Sequence, residues 1–297
     1  MSQTEGLTAA QLPTVSFLKW AGGKRRQVPR LRELYEPHRD RRLVELFCGA
    51  ANVALGLQPR QALLNDANPH LVNCMRWVQN PDGFKASLID WRNQEEHYYA
   101  LRARFNYLAA ANPDSEEAAQ IFYYLNQLGF NGICRFSSGG RFNIPWGKYK
   151  RQLGRPPEDG KLQPWKQAMQ GFDFICSDFR KVELKADDFV YADPPYDSPV
   201  DESAIQGNLL GVAGWDDDGK GFTSYSLDKF RGQDQIDLAE LLARHPGPVI
   251  IHNRATDRVV RLYESLGFDL EYVMARRSAA CNGDRAAVEE VIAKRNL

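Results

Sequence analysis

The sequence predicts a doubly wound α/β fold interrupted by a helical insert. Two observations support this class. A strand, a tight turn of small residues and a helix follow one another near the start of the chain, and a strand–helix alternation resumes after about residue 156. Between these stretches the apolar residues recur at helical spacing instead. At 297 residues the chain can form one large domain or two smaller ones.

The first α/β segment begins with the apolar run Leu43 to Phe47, which is predicted to be a strand. Small residues at Cys48 to Ala51 let a ligand approach the backbone closely, and a helix is expected from Asn52 to Leu57. A second strand, Leu63 to Asn65, ends at Asp66, at roughly the 20-residue spacing that places a carboxylate on a nucleoside ribose. A surface turn explains this aspartate equally well. The glycine fingerprint of dinucleotide-dependent oxidoreductases is absent, which disfavours that class.

The insert is predicted to be helical. Apolar stripes at helical spacing run from Pro69 to about Asn126 and are interpreted as its core, without a ligand role. From Phe130 to Tyr149, glycine, asparagine, arginine and aromatic residues interleave without a helical period. This pattern is typical of a β-hairpin or an irregular loop that presents hydrogen-bond donors and flat rings.

The second α/β segment contains four predicted strands and two predicted helices. The strands are Phe172 to Cys176, Phe189 to Ala192, Pro248 to Ile251 and Leu270 to Arg277, and the helices are Gln233 to Leu242 and Asp257 to Leu266. The stretch from Asp197 to Gly221 is rich in glycine, aspartate and small residues and is predicted to be a mobile loop.

The sequence Asp193-Pro194-Pro195-Tyr196 directly follows a predicted strand. The two prolines fix φ and lack an N–H group, so their carbonyl groups remain free to accept hydrogen bonds. A carboxylate, free carbonyls and an aromatic ring in such close succession suit a planar substrate group that carries an NH2. Taken alone, this sequence is also compatible with an ordinary turn.

The formal net charge is zero, but the charges are unevenly distributed. Basic residues crowd two stretches, and the balancing acids lie largely between Asp187 and Asp237. The first cluster is Lys19, Lys24, Arg25, Arg26, Arg30 and Arg32, and the second is Arg135, Arg141, Lys148, Lys150, Arg151 and Arg155. This asymmetry favours a basic cleft that faces a polyanion, with a solvated basic surface as the alternative.

Several classes of protein are disfavoured by composition. The five cysteines are scattered without a CxxC pair, and the five histidines show no metal-ligand spacing. This argues against a zinc site or a disulfide framework and indicates a reducing, cytoplasmic environment. No apolar run approaches the length of a membrane span, and the N-terminus lacks a signal-peptide core.

Seven motifs occur in a fixed order along nearly the whole chain. They are FLKWAGGK at 17–24, ELFCGA at 45–50, NDAN at 65–68, the two-part motif FNGICRF…GRFNIPWGKY at 130–149, YADPPY at 191–196, FTSYS at 222–226 and ARRSAACNG at 275–283. Together they resemble the motifs of the Dam-type adenine-specific DNA methyltransferases. FLKWAGGK, the pattern within 130–149 and DPPY are individually specific.

The resemblance implies a Rossmann-like sheet that binds S-adenosylmethionine and releases S-adenosylhomocysteine, without a metal. Residues 1–66 and 156–297 would form a discontinuous catalytic domain, and residues 67–155 a helical target-recognition domain that carries a β-hairpin. The substrate would be double-stranded DNA, acted on by a monomer in the cytoplasm of a bacterium, encoded by the bacterium or by a phage and associated with the nucleoid. A separately acting restriction endonuclease is a candidate partner.

The resemblance also implies site residues, position by position. The catalytic residues are Asp193, Pro194 and Tyr196. The cofactor-binding residues are Trp20, Lys24, Phe47, Gly49, Asp66, Asp178, Phe179 and Asp193, of which Asp178 and Phe179 are looser matches beside the cofactor adenine. The DNA-binding residues are Lys19, Phe130, Asn131, Ile133, Arg135 and Pro145.

These groups predict a base-flipping mechanism. An adenine inside a duplex must leave the stack, at a cost of a few kcal/mol, and the pair Phe130-Asn131 would fill the gap. Tyr196, with Phe222 as a second ring, would stack on the flipped base. Asp193 and the carbonyl of Pro194 would accept hydrogen bonds out of the ring plane, which draws the amino nitrogen toward a tetrahedral geometry. Asp193 is a weaker candidate as a general base, because an ordinary carboxylate is a poor proton acceptor from an amine.

The target sequence is expected to be chosen within 130–149. Arg135 suits a guanine, and Ile133 or Pro145 suits a thymine methyl group, which favours a short palindrome of the GATC kind. Two positions depart from the family: Ser137 stands where asparagine is common, and Ile133 replaces a leucine.

Two alternatives stay open at this point: a DNA-binding protein with an inactive methyltransferase site, and an amino-methyltransferase that acts on RNA or on protein glutamine. The stretch between Tyr196 and Phe222 is longer than is usual in the family. Its acids, Asp216 to Asp218, would repel a phosphate backbone, and it is interpreted as a solvated insertion or as a lid.

Overall fold

The computed structural model describes residues 11–80, 82–84, 87–150, 162–196, 230, 232–276 and 287–297. Its helices are α1 Val28–Tyr35, α2 Asn52–Leu57, α3 Pro69–Gln79, α4 Glu95–Ala111, α5 Glu116–Leu128, α6 Gln163–Ala168, α7 Gly232–Ala243 and α8 Asp257–Ser265. Its strands are β1 Leu43–Glu45, β2 Ala62–Asn65, β3 Phe172–Ile175, β4 Phe189–Ala192, β5 Val249–Arg254, β6 Asp269–Arg276 and β7 Ala287–Arg295.

The strands form one sheet in the order β3-β2-β1-β4-β5-β7-β6. The five strands from β3 to β5 in this order are parallel, and β7 runs antiparallel between β5 and β6. The chain moves outward from β1 in both directions, so the carboxyl ends of β1 and β4 flank a topological switch point, where such sheets bind ligands. The predicted doubly wound α/β class is confirmed.

Six strands were predicted, and each is present within a few residues of its predicted bounds. The strand β7 was not predicted. Its sequence AVEEVIAKR carries two adjacent glutamates, which obscure the apolar alternation that identifies a strand. One of them, Glu290, is nonetheless buried, because its side chain meets the buried His252 of β5.

The helical insert packs directly on the sheet. The apolar cluster on one side of the sheet is continuous from Leu43 of β1 through Leu71 of α3 to Phe122 of α5. The helices predicted from Pro69 to Asn126 therefore share a core with the α/β part, and the domain boundaries at 67 and 155 stay a prediction.

The segment 130–149 was predicted to be either a β-hairpin or an irregular loop, and it is an irregular loop. It contains a single 3₁₀ turn, Phe130–Gly132, and its only bridges among the described residues are the isolated pairs Gly129–Trp146 and Phe136–Phe142. Isolated backbone hydrogen bonds join its two arms, such as that from the N–H of Ser137 to the carbonyl of Arg141 at 2.9 Å. A side chain adds to them: Asn106 of α4 accepts from the N–H of Phe142 at 2.7 Å and donates to its carbonyl at 3.1 Å. This loop, 129–149, is called the recognition loop below.

Within the described ranges, no helix has both the length and the apolar character needed to cross a membrane. Cys48, Cys74, Cys134 and Cys176 are free thiols, and Cys281 lies outside the described residues.

An ion pair between Arg42 and Asp188 joins the start of β1 to the turn before β4. Arg42 donates from Nε and Nη2 to the two carboxylate oxygens of Asp188, at 2.9 and 2.7 Å. Asp188 is 1% exposed, and the N–H of Lys185 also donates to it at 2.7 Å.

We expect Arg42→Ala to lower the free energy of unfolding by about 3–5 kcal/mol, because it leaves a buried carboxylate without its partner. The matched control is Arg39→Ala, which removes an exposed pair with Glu36 at 3.0 Å and should cost less than about 1 kcal/mol. Urea unfolding of both variants measures the difference. Equal losses in the two variants would contradict the assignment.

Candidate active site

The predicted catalytic and cofactor-binding residues come together at one edge of the sheet. Phe47 and Gly49 follow β1, Asp66 follows β2, Asp178 follows β3 and Asp193 follows β4. These four strands are neighbours and run parallel. Their carboxyl ends therefore deliver all five residues to the crevice at the switch point.

The turn after β1 requires glycine at position 49. Gly49 has φ +48°, and a Cβ atom on it would lie 2.8 Å from Nε1 of Trp20. The indole ring of Trp20 therefore packs directly on the backbone of this turn. The turn is fixed to β2 by the N–H of Cys48, which donates to the carbonyl of Asn65 at 2.7 Å.

Asp66 is held in place by two backbone N–H groups. One carboxylate oxygen accepts from Gly49 and the other from Asn68, both at 2.9 Å. Burial raises the pKa of Asp66 to about 6, although these two hydrogen bonds oppose the shift. Each oxygen keeps a further lone pair, so the carboxylate can accept hydrogen bonds from ligand hydroxyl groups.

An aromatic cluster stands beside this turn. Phe47 lies with its ring centroid 5.5 Å from that of Phe179 and 5.4 Å from that of Phe230. Phe230 was not predicted as a site residue, because it follows a long polar stretch and belongs to no recognisable motif. The three rings, which are tilted or perpendicular to one another, give the site an apolar wall.

Asp178 is bound to a basic neighbour that sequence reasoning also missed. Its carboxylate accepts from the N–H of Arg180 at 2.8 Å and lies 3.3 Å from the guanidinium group. Arg180 further contacts Asp234 and Asp237 of α7 and lies over the ring of Phe179. Arg180 therefore links the end of β3 to α7.

Lys24 contacts two residues of the segment 193–196, which is called the catalytic loop below after its predicted role. Its ammonium group lies 2.9 Å from Oδ1 of Asp193 and 4.7 Å from the ring centroid of Tyr196. The side chain of Lys24 is 7% exposed, and Nζ also donates to the carbonyl of Gly22 at 3.1 Å. Lys24 was predicted to bind the cofactor, and it stands beside Asp193, the predicted catalytic aspartate.

Buried polar side chains from β5 and β7 lie behind Tyr196. Glu290 is 3.0 Å from Nε2 of His252, and its carboxylate lies beside the hydroxyl of Tyr196. Burial raises the pKa of Glu290, but His252, Lys24 and Tyr196 outweigh burial and hold it below its ordinary value. Burial, followed by the charges of Asp193 and Glu290, raises the pKa of Tyr196. Glu290 and His252 were not predicted.

A third carboxyl group, that of Glu45 in β1, is buried near Asp193. Burial raises the pKa of Glu45 to about 8, and the neighbouring charge of Asp193 adds to the shift. Glu45 is therefore protonated at neutral pH, which keeps a further negative charge out of the site.

Five of the six predicted DNA-binding residues lie in the recognition loop. Phe130 is 50% exposed, and its N–H donates to the carbonyl of Pro145 at 2.9 Å, so these two residues are neighbours. Asn131 is exposed with φ +54°. Ile133 is half-buried, and the exposed Arg135 donates from Nε to the side chain of Asn143 at 2.8 Å.

Lys19 packs against the recognition loop. Its ammonium group donates to the carbonyl of Gln127 at 2.6 Å and lies 4.9 Å from the ring centroid of Tyr149. A Cβ atom on Gly132 would lie 2.5 Å from the side chain of Lys19. Burial lowers the pKa of Lys19. The predicted contact of Lys19 with a base stays a prediction.

The first basic cluster has two parts. Arg30 pairs with Glu271 at 2.8 Å, and Arg32 donates to the carbonyl of Gly56, so both stabilise the fold. Arg25 and Arg26 are exposed and directly follow Lys24. Arg32 is exposed as well, so Arg25, Arg26 and Arg32 are all accessible to a polyanion.

In the described part of the chain, no group of three or more His, Cys, Asp or Glu side chains could hold a metal ion. Three predicted features lie outside the described residues: Phe222, the acids Asp216 to Asp218, and residues 277–283 of the motif at 275–283.

The family model and the relatives that match this sequence all describe adenine-specific DNA methylation. The family model described as D12 class N6 adenine-specific DNA methyltransferase matches residues 20–207. A DNA adenine methylase of Vibrio cholerae serotype O1 is 33% identical, covering 94% of this chain and 95% of its own length. The DNA adenine methylase of Escherichia coli K12 is 32% identical, with 94% of each chain covered.

A third relative, the DNA adenine methylase of Haemophilus influenzae, is 33% identical over 93% of this chain and 92% of its own. Among solved structures, a tRNA (m1A58) methyltransferase of Aquifex aeolicus covers 92% of this chain and 70% of its own, with 10% identity and a TM-score of 0.34. The fold assignment rests on the strand order and not on this similarity.

We expect the affinity for S-adenosylmethionine to fall as the pH drops below about 6, because protonation of Asp66 removes a charged acceptor for ribose hydroxyl groups. Titration calorimetry between pH 5 and 7 measures this affinity in a window below the pKa of Glu45. The Asp66→Asn variant should bind S-adenosylmethionine more weakly at pH 7, and its affinity should not change between pH 5 and 7. A wild-type profile as flat as that of the variant would rule out this role.

Proposed function

The chain belongs to the D12 class N6 adenine-specific DNA methyltransferases, and we propose that it methylates an adenine that has been flipped out of double-stranded DNA. The observation that carries the proposal is the position of the catalytic loop. Asp193 and Tyr196 stand at the same edge of the sheet as the turn at Gly49 and the carboxylate of Asp66. This arrangement places an acceptor and a flat ring beside a nucleoside-binding turn.

The residues of the crevice fit S-adenosylmethionine. Asp66 would accept hydrogen bonds from the ribose, and Phe47, Phe179 and Phe230 would contact the adenine ring. The absence of a side chain at Gly49 lets the cofactor approach the backbone beside Trp20. When bound, the cofactor supplies an electrophilic methyl group on a sulfonium centre.

The catalytic loop would hold the target amino group between two acceptors. Lys24 contacts Oδ1 of Asp193, so Oδ2 is the oxygen available to the amino group. The carbonyl of Pro194 is the second acceptor. Two hydrogen bonds out of the ring plane localise the lone pair of the amino nitrogen, which is otherwise delocalised into the ring. Positioning and electrostatics then provide most of the acceleration.

Tyr196 would stack on the flipped adenine. Because the ammonium group of Lys24 lies over one face of the ring, at 4.7 Å from its centroid, the base would occupy the opposite face. Base–aromatic stacking contributes on the order of 1–3 kcal/mol, which offsets part of the cost of unstacking.

The recognition loop would select the target. Phe130 and Asn131 are exposed and adjacent, as expected of residues that fill the gap left by a flipped base. The Nε atom of Arg135 is bound to Asn143, so its two Nη atoms remain to donate to a guanine. Ile133 would contact a thymine methyl group. These assignments support a short palindrome of the GATC kind.

Four finer assignments belong to the same proposal. The enzyme would act as a monomer in the cytoplasm, with or without a separately acting restriction endonuclease. Residues 1–66 and 156–297 would carry the chemistry, and residues 67–155 the choice of target.

We expect expression of the chain in bacteria that lack adenine methylation to produce N6-methyladenine at one short palindrome, detected by long-read sequencing. Plasmid from these cells should resist a nuclease that is blocked by methylation of GATC. Asp193→Ala should abolish the signal, because it removes an acceptor at the reacting nitrogen, a type of loss that costs about 100-fold or more. Methylation that persists in this variant would refute the proposed chemistry, and GATC sites that stay sensitive would refute the proposed target.

We expect Arg25 and Arg26 to contact DNA phosphates, because they are exposed beside the catalytic loop. The double variant Arg25→Ala, Arg26→Ala should reduce the slope of log K against log salt by roughly 2, about 1 for each lost contact. The control Arg60→Ala removes an exposed arginine before β2, at the opposite edge of the sheet, and should leave the slope unchanged. Fluorescence anisotropy with duplex DNA measures the slopes. Identical slopes in the double variant and the wild type would exclude the contact.

A further inference from the structure

The carbonyl of Pro195, in the middle of the catalytic loop, is bound by a buried side chain from α7. Gln235 donates from Nε2 to this carbonyl at 2.8 Å, and Gln235 is 3% exposed. This contact is not explained by cofactor binding or by DNA binding, since Gln235 lies beneath the loop.

Gln235 is itself oriented by a second buried amide. Asn253, at 0% exposure near the end of β5, donates from Nδ2 to Oε1 of Gln235 at 2.9 Å. The same Nδ2 donates to the hydroxyl of Tyr263 in α8 at 3.1 Å, and Oδ1 of Asn253 accepts from the N–H of Arg254 at 2.8 Å. Both amides therefore have a fixed polarity, and Gln235 must present its NH2 group to Pro195.

The chemistry of proline explains why this contact matters. Pro194 and Pro195 have no N–H group, so hydrogen bonds can hold these two residues only through their carbonyl groups. Because the ring of Pro195 fixes φ, the orientation of its carbonyl is set by ψ alone. The same ψ determines where the chain continues to Tyr196. A hydrogen bond to this carbonyl therefore fixes the position of Tyr196 relative to Pro194.

The loop is thus held from two sides. Lys24 contacts Asp193 and Tyr196 from the N-terminal segment, and Gln235 holds Pro195 from α7. The carbonyl of Pro194 lies between these two anchors and is left for the substrate.

We propose that Gln235, oriented by Asn253, is a positioning residue that fixes the angle between the acceptors of the catalytic loop and the ring of Tyr196. The inference rests on the proposed function of that loop. It assigns Gln235 no contact with cofactor or DNA, so its loss should affect the chemical step and not the binding of either substrate.

The first test is steady-state and single-turnover methylation of unmethylated plasmid DNA. Gln235→Met keeps the length of the side chain and removes both polar atoms. It should lower kcat and the single-turnover rate by about 10–100-fold, the loss expected from a small misplacement of reacting groups, with both KM values within about twofold of the wild type. The control Tyr263→Phe removes a hydroxyl from the same network without touching the bond to Pro195 and should keep kcat. An unchanged kcat in Gln235→Met, or an equal loss in Tyr263→Phe, would overturn the inference.

A second variant covers the case in which Gln235→Met does not fold. Gln235→Glu keeps shape and volume, and its ionised carboxylate cannot donate to the carbonyl of Pro195, whereas the protonated form can. Its kcat relative to the wild type should therefore rise as the pH is lowered. A ratio that is independent of pH and close to one would overturn the inference.

A measurement without turnover separates this inference from the proposed function. In protein labelled with 3-fluorotyrosine, the fluorine resonance of Tyr196, assigned with Tyr196→Phe, should shift in Gln235→Met and stay in place in Tyr263→Phe. If the wild type methylates no DNA, the proposed function fails and this resonance still decides the positioning role. An unmoved resonance in Gln235→Met would overturn that role.

Discussion

The ion pair between Lys24 and Asp193 is the contact on which the site depends. A lysine that is 7% exposed is stable only with a partner, so the carboxylate after β4 determines where the N-terminal segment lies. The same segment is tied to α5, because Asn126 accepts from the N–H of Lys19 at 2.9 Å and donates to its carbonyl at 2.7 Å. The six residues from Lys19 to Lys24 therefore connect the catalytic loop to the base of the recognition loop. Under the proposed function, base selection and methyl transfer would be mechanically linked through this segment.

The two functional loops share a way of being held. Both lack a regular backbone ladder, and both receive side chains from flanking helices instead: Asn106 of α4 pairs with the backbone of Phe142, and Gln235 of α7 with that of Pro195. An amide side chain can replace a strand partner because it carries a donor and an acceptor. The loops thereby keep defined backbones while their outer edges stay open to substrate.

Much of this arrangement could be predicted from the sequence, because strand ends and turn residues leave local signals. The spacing of Gly49 and Asp66 suggested that both belong to one nucleoside site, and the structure joins them by a hydrogen bond, while the contact with a ribose stays a prediction. Contacts between distant segments leave no such signal. The strand β7 was missed because its buried Glu290 breaks the apolar pattern. That glutamate is explained by partners from distant parts of the chain, which are His252 on the neighbouring strand, Lys24 and Tyr196. The ion pair between Arg30 of the first basic cluster and Glu271 joins segments that are far apart in the sequence, and it was not predicted.

The remaining cost of the site lies in buried polar atoms. Glu45 Oε1 and the hydroxyl of Tyr191 are buried without a hydrogen bond to any described residue, and both lie around the end of β4. Each such group costs roughly 1–3 kcal/mol. A fold selected for stability alone would replace them with apolar side chains. These groups are concentrated behind Asp193, which indicates that the polar surroundings of this carboxylate are retained at the expense of stability. Groups with shifted pKa values commonly cluster in this way at functional sites.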